Sequence, residues 1–214
     1  MEKITIEQLP QLFEAIADQF AKNADILCQM DSRMGDGDLG LTMKKGFGGL
    51  PAIFRRINET DLAKKIQYAG IELTDLVPST MGMLMGTGIS YAGKALSGKT
   101  ELDAQSIPLF LHGFCEGIIK RGKCHRGDRT VLDSLGQAAD ESKKYISEKL
   151  GASLKEVCLA ALEGAKKGVE ATKTMKPKFG KAAVYANIAE GIADQGAVAG
   201  LVMIQGITDY VLMN

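Results

Sequence analysis

The chain has 214 residues, enough for one large domain that folds without a disulfide or zinc staple. Lys plus Arg is 26 and Asp plus Glu is 26; this zero balance argues against a general nucleic-acid binder, which needs a basic excess. With 45% hydrophobic and 24% charged residues the composition is globular, which excludes wholesale disorder, while 25 glycines exceed the usual ~7%.

The opening MEKITIEQLPQL is acidic and lacks the apolar core of a leader peptide. Leu9, Leu12, Phe13, Ile16 and Phe20 then recur at three- and four-residue steps, which predicts a first helix. Thr60 or Asp61 is placed to cap a helix carrying Leu62, Ile66, Ala69 and Leu73. The uncharged stretch from Leu76 to Gly93 is too polar and too glycine-broken to span a membrane. Leu111, Phe114, Cys115, Ile118 and Ile119 predict a helix ended by Arg121-Gly122, and Leu132, Leu135, Ala138 and Ala139 predict the next. Ser153 with Glu156 forms a capping box for a run through Val157, Ala161, Ala165 and Val169. The last stretch, Ala197–Leu212, fits a buried helix by its length.

No alternating strand of convincing length is present, so the reading is all-α: a single domain over residues 1–214 with about eight helices. Irregular sequence concentrates at 31–40, 78–88, 121–130 and 172–196, and loops of an antiparallel bundle gather at its ends. The four cysteines form no CxxC pair, in keeping with a reduced, cytosolic protein.

The sharpest chemical signal is Asp31-Ser-Arg-Met-Gly35-Asp36-Gly37-Asp38-Leu39-Gly40. Three carboxylates in eight residues repel one another unless a hard cation sits between them, and oxygen ligands without His or Cys favour magnesium over zinc. The alternative is a solvated turn with N-cap aspartates. Gly93-Lys-Ala-Leu-Ser-Gly98-Lys99-Thr100 fits the Walker A pattern by letter, but no apolar strand precedes it, so it reads as a helix C-terminus capped by Gly98. His112-x-x-Cys115 and Cys124-His125 bring together both histidines and two cysteines, without the spacing of a zinc site. Two basic clusters, Lys120-Arg121-Lys123-Arg126-Arg129 and Lys173-Lys176-Lys178-Lys181, read as solvated surface or as groups facing a polyphosphate or an acidic partner.

The aspartate motif is joined, in order, by Thr80-Met-Gly82-Met-Leu-Met-Gly86-Thr87, Arg121-Gly122-Lys123-Cys-His-Arg-Gly127-Asp128-Arg129-Thr130, and Gly180-Lys181-Ala182 followed by Asp194-Gln195-Gly196-Ala197. Together these resemble the L subunit (DhaL) of the dihydroxyacetone kinase family, the nucleotide-binding domain of the single-chain kinases. The resemblance implies a closed antiparallel barrel of helices with a nucleotide at one end. It implies two magnesium ions held by Asp31, Asp36 and Asp38, and ADP or ATP contacted by Leu39, Gly40, Leu41, Thr42, Thr80, Met81, Gly122, Val131, Lys181, Asp194, Gln195 and Gly196. No catalytic side chain is expected on this chain. The implied activity is phosphoryl transfer to dihydroxyacetone or a related short ketose held on a separate K subunit. The donor is free ATP or a phosphohistidine protein of the sugar phosphotransferase system. The chain departs from the family pattern at Leu39 (usually His), Pro78-Ser79 (Gly-Gly), Met81 (Ser), Lys181 (Arg) and Gln195 (Pro). An alternative function is a regulatory ADP-binding module without efficient transfer.

Overall fold

The computed structural model describes the backbone of residues 1–214 and all side chains except those of 186–188. Eight helices carry the fold: α1 (Leu9–Asp31), α2 (Leu39–Arg56), α3 (Leu62–Leu76), α4 (Thr80–Ala95), α5 (Ser106–Gly122), α6 (Val131–Glu148), α7 (Leu154–Thr172) and α8 (Gln195–Met213). Each packs on its predecessor and α8 returns to α1, closing an all-α barrel with neighbours antiparallel. The barrel is filled by side chains. Phe13 of α1 meets Phe54 of α2 at 4.5 Å between ring centroids, and Phe20 meets Phe47 at 4.4 Å. Such pairs add about 0.5–1.5 kcal/mol each beyond their area burial.

Local signals explain most boundaries. Asp61, rather than Thr60, caps α3 by accepting the Lys64 N–H at 2.9 Å. Ser153 and Glu156 make the reciprocal capping box of α7, with the Ser153 N–H donating to Glu156 at 3.0 Å. α8 has the length and composition of a membrane span, but it is a seam of the barrel, its residues Ala199, Met203 and Ile204 buried against α1, α6 and α7.

Two expectations need correction. Residues 80–88 are not irregular: only 77–79 separate α3 from α4, and the glycines lie inside α4. There they serve close packing, since a β-carbon on Gly88 would fall 2.3 Å from the Phe114 ring of α5 and one on Gly86 2.7 Å from the Gly70 carbonyl of α3. The helix over Leu111–Ile119 does end at Gly122, but the left-handed residue that stops it is Lys123, at φ 56°. Two short strands, β1 (Ile4–Thr5) and β2 (Glu101–Leu102), pair antiparallel and leave the all-α reading intact. At two residues each they are too short to show alternation.

The Walker-like segment runs from the last turn of α4 into the link to α5. The helix ends at Ala95 with Leu96 as its cap, and Gly98 adopts φ 82° two residues beyond. Lys99 stands 4.0 Å from Asp103. The element leading directly into this lysine is helix α4, not a strand, so it has none of the geometry of a phosphate loop.

Candidate functional site

Antiparallel winding brings the C-termini of α1, α3, α5 and α7 to one end of the barrel, together with the N-termini of α2, α4, α6 and α8. Connections 32–38, 77–79, 123–130 and 173–194 meet there around a cleft of ≈ 330 Å³. The four stretches 31–40, 78–88, 121–130 and 172–196 therefore all contribute residues to a single end, the second of them as the start of α4. Each helix N-terminus carries roughly half a positive charge in unpaired N–H groups, so four of them favour an anion.

The four N-caps are Asp38, Ser79, Thr130 and Asp194. Three cap with their side chains: Ser79 Oγ accepts from Gly82 N at 3.1 Å, Thr130 Oγ1 from Leu132 N at 3.2 Å, and Asp194 Oδ2 from Ala197 N at 2.8 Å. Asp38 makes no side-chain cap bond, so its carboxylate is left for something else.

That carboxylate converges with two others. Asp31 ends α1 with 7% exposure, Asp36 and Asp38 are exposed on the connection to α2, and oxygens of the three lie within 4.8 Å of one another. The connection folds this way because Gly37 takes φ 78° and donates its N–H to Asp31 Oδ2 at 2.8 Å. Burial raises the pKa of Asp38, and the charges of Asp36 and Asp31 raise it further. Lys181 reaches across from the 173–194 connection to pair with Asp36, which lowers the Asp36 pKa and raises that of the lysine. Gln195 donates Nε2–H to Asp31 Oδ1 at 3.2 Å, while its buried Oε1 has no partner among the described residues. An all-oxygen cluster beside an orphaned amide oxygen fits a hard divalent cation.

Of the residues assigned to the nucleotide from sequence, the cleft is lined by Leu39, Thr42, Thr80, Met81, Val131, Lys181, Asp194, Gln195 and Gly196. Gly40, Leu41 and Gly122 are not in its lining. Gly40 is packed onto α1, Leu41 is 62% exposed, and a β-carbon on Gly122 would meet Leu84 at 2.9 Å. The N–H groups of Leu39, Gly40 and Leu41 still belong to the unpaired first turn of α2, whose first internal bond is Thr42 N to Asp38 O at 2.9 Å.

The basic clusters divide. Lys178 donates to Asp128 Oδ1 at 2.6 Å and Lys181 pairs with Asp36, so both pin the 173–194 connection to the cleft rim. The neck of this connection is closed by Gly191 N donating to Lys173 O at 2.9 Å. Arg129 is not a surface group at all: its side chain is buried in the cleft wall, a placement that its basic neighbours in sequence concealed. The His/Cys candidate does not form a site. Among the described residues the group of His, Cys, Asp and Glu able to share a metal is Asp31, Asp36 and Asp38, and burial pushes the Cys115 thiol up to about 12.

A family model for the DAK2 domain matches residues 33–209. The chain belongs to the DAK2 domain family. Among curated relatives of this DAK2 domain, the "PEP-dependent dihydroxyacetone kinase, ADP-binding subunit DhaL" of Escherichia coli is 26% identical over 188 residues, covering 88% of this chain and 89% of that one. A DhaL subunit of Listeria innocua is 33% identical over 112 residues, 52% of this chain and 56% of that protein. The mouse "Triokinase/FMN cyclase" is 28% identical over 207 residues, of which the chain spans only 35% of the longer protein. The dihydroxyacetone kinase of C. freundii, solved also with AMP-PNP and Mg2+, superposes with TM-score 0.70 at 20% identity, covering 95% of this chain and 34% of that chain. This last likeness establishes the barrel fold.

Proposed function

We propose that this DAK2 domain is the nucleotide- and magnesium-binding subunit of a kinase for dihydroxyacetone or a related short ketose. The observation that carries the reading is the convergence of Asp31, Asp36 and Asp38 at the mouth of a cleft ringed by four helix N-termini. Asp31, Asp36 and Asp38 would hold magnesium, two ions in the family pattern. When bound there, magnesium neutralises the charge of the nucleotide's phosphate oxygens. The first turn of α2 offers N–H groups to the same phosphates, and Lys181 offers a point charge where the family pattern has the two-pronged fork of arginine. Met81, Leu84 and Val131 supply an apolar wall for the base.

Phosphoryl transfer needs positioning and charge neutralisation more than a covalent nucleophile, so a subunit with no catalytic side chain of its own suffices for the nucleotide half of the reaction. The names of the E. coli and Listeria relatives, ADP-binding subunits of PEP-dependent kinases, support a division of labour with a separate ketose-binding K subunit. The test is to combine the purified chain with a cognate K subunit and dihydroxyacetone. Either ATP or a PEP-charged phosphohistidine protein is then supplied as donor. Phosphorylation that needs both proteins supports the reading, and the productive donor identifies the branch. Turnover by the chain alone would make it a complete kinase. ADP binding with no transfer in either arm would make it a regulatory module.

A further inference from the structure

Arg129 is the one cationic side chain in the cleft wall that is fully buried, at 0% side-chain exposure among the described residues. It is held there at some conformational cost, since its φ of 62° is left-handed and arginine has no glycine-like tolerance for it. The surrounding turn enforces that conformation: Asp133 accepts the N–H groups of Gly127 and Thr130, and Asp128 accepts that of His125. Strain imposed by so many backbone bonds is a mark of a side chain that must be aimed.

What it is aimed at is only half supplied by the protein. Nη2 donates to the Ile192 carbonyl at 3.0 Å. Nη1 stands 3.6 Å from Asp194 Oδ1, an ion pair too long for a hydrogen bond. Nε and Nη1 are buried and have no hydrogen-bond partner among the described residues. Leaving two donors of a buried guanidinium unpaired is costly, so a further acceptor belongs in this position.

We propose that Arg129 is a further ligand-binding residue of the cleft: its side chain, fully covered in this structure, is uncovered when nucleotide binds, and its Nε–H and Nη1–H then donate to an acceptor on the nucleoside end of the nucleotide. This rests on the nucleotide reading above. The phosphates go to the aspartate cluster, and the ion pair of Arg129 is with Asp194, not with any of those three carboxylates. The same wall holds Val131, Met81 and Gly196, where a β-carbon on Gly196 would lie 3.3 Å from Val131 N and 3.7 Å from Met81 Cε. An apolar floor with a single planar fork suits an uncharged ring that carries acceptor nitrogens or oxygens. Asp194 keeps the guanidinium charge tolerable, and its own cap bond to Ala197 fixes the pair to the start of α8.

The experiment follows the Arg129 Nε–H signal of the wild-type protein by 15N–1H NMR, assigned through its own backbone, while Mg–ADP or Mg–pyrophosphate is added. Mg–ADP should shift this signal and slow its exchange with water; Mg–pyrophosphate should leave it in place. By calorimetry, Arg129→Met should lose about tenfold to a hundredfold in ADP affinity. It should keep pyrophosphate affinity within about twofold, and Arg129→Lys should fall between. An Nε–H signal unmoved by Mg–ADP would overturn the inference, as would an equal loss of pyrophosphate affinity in Arg129→Met. A wild-type chain that binds no ADP at all would remove the underlying reading together with this one.

Discussion

A β-carbon on Gly40 would stand 1.9 Å from the carbonyl oxygen of Ala24, so α2 begins directly on the backbone of α1. This contact lies two residues after Asp38 and one helical stretch before Asp31. It therefore sets how closely the two carboxylates approach.

Gly40→Ala should push the start of α2 outward and separate the cluster. A backbone-on-backbone clash of this kind destabilises by about 1–3 kcal/mol, and the loss should come with weaker divalent-metal binding. Gly48, exposed in the same helix with nothing near its missing side chain, is the control. Gly48→Ala should stabilise by about 0.4–1 kcal/mol and leave metal binding as it was. Urea denaturation with and without Mn2+ measures both effects.

Asp194 should titrate late. Burial raises its pKa from 3.8 to about 6, against the opposing pull of the Ala197 N–H and Arg129. A carboxyl that holds its proton more tightly when folded lowers stability as pH rises between the unfolded and folded values. From about pH 4 to about pH 6, Asp194 therefore contributes a falling unfolding free energy. Its carboxyl carbon, followed by NMR, should show a midpoint near 6; a midpoint at the ordinary value would mean that the carboxylate is better solvated than its 4% exposure implies.

Lys99→Ala should leave ADP affinity unchanged. The fifteen-residue rise of α4 separates the Walker-like segment from Thr80 in the cleft by about 22 Å. A large loss of affinity in this variant would place the phosphates at the opposite end of the barrel.

These cases show what the sequence carried. The aspartate loop was legible because its chemistry is contiguous: three carboxylates and two glycines fall within eight residues, and the structure brings the three carboxylates together. Helix periodicity and the Ser153–Glu156 box were legible for the same local reason. Residues 80–88 were misread because a glycine in a turn and a glycine at a helix crossing look alike until the neighbour, here Phe114 or Gly70, is known. Arg129 was hidden by its basic neighbours. Its burial depends on Ile192 and Asp194, more than sixty residues away, and no local pattern announces such a partner.

Chelation should loosen the cleft end of the barrel. EDTA should lower the melting temperature of protein purified with divalent metal, and Mg–ADP should restore it. Ligand at a hundredfold excess over its dissociation constant adds about 2.7 kcal/mol to the folded state. A melting curve indifferent to chelator and nucleotide alike would contradict a ligand-stabilised cleft.

The most direct test of the account is calorimetric titration of Mg–ADP into the wild-type chain and into Asp38→Asn. The Asp38 side chain caps no helix and sits against two like charges, so its neutralisation should leave helix content and metal-free stability at or above wild type. The account predicts saturable Mg–ADP binding to the wild-type protein and its loss in the folded Asp38→Asn variant. Equal binding by both proteins would contradict it.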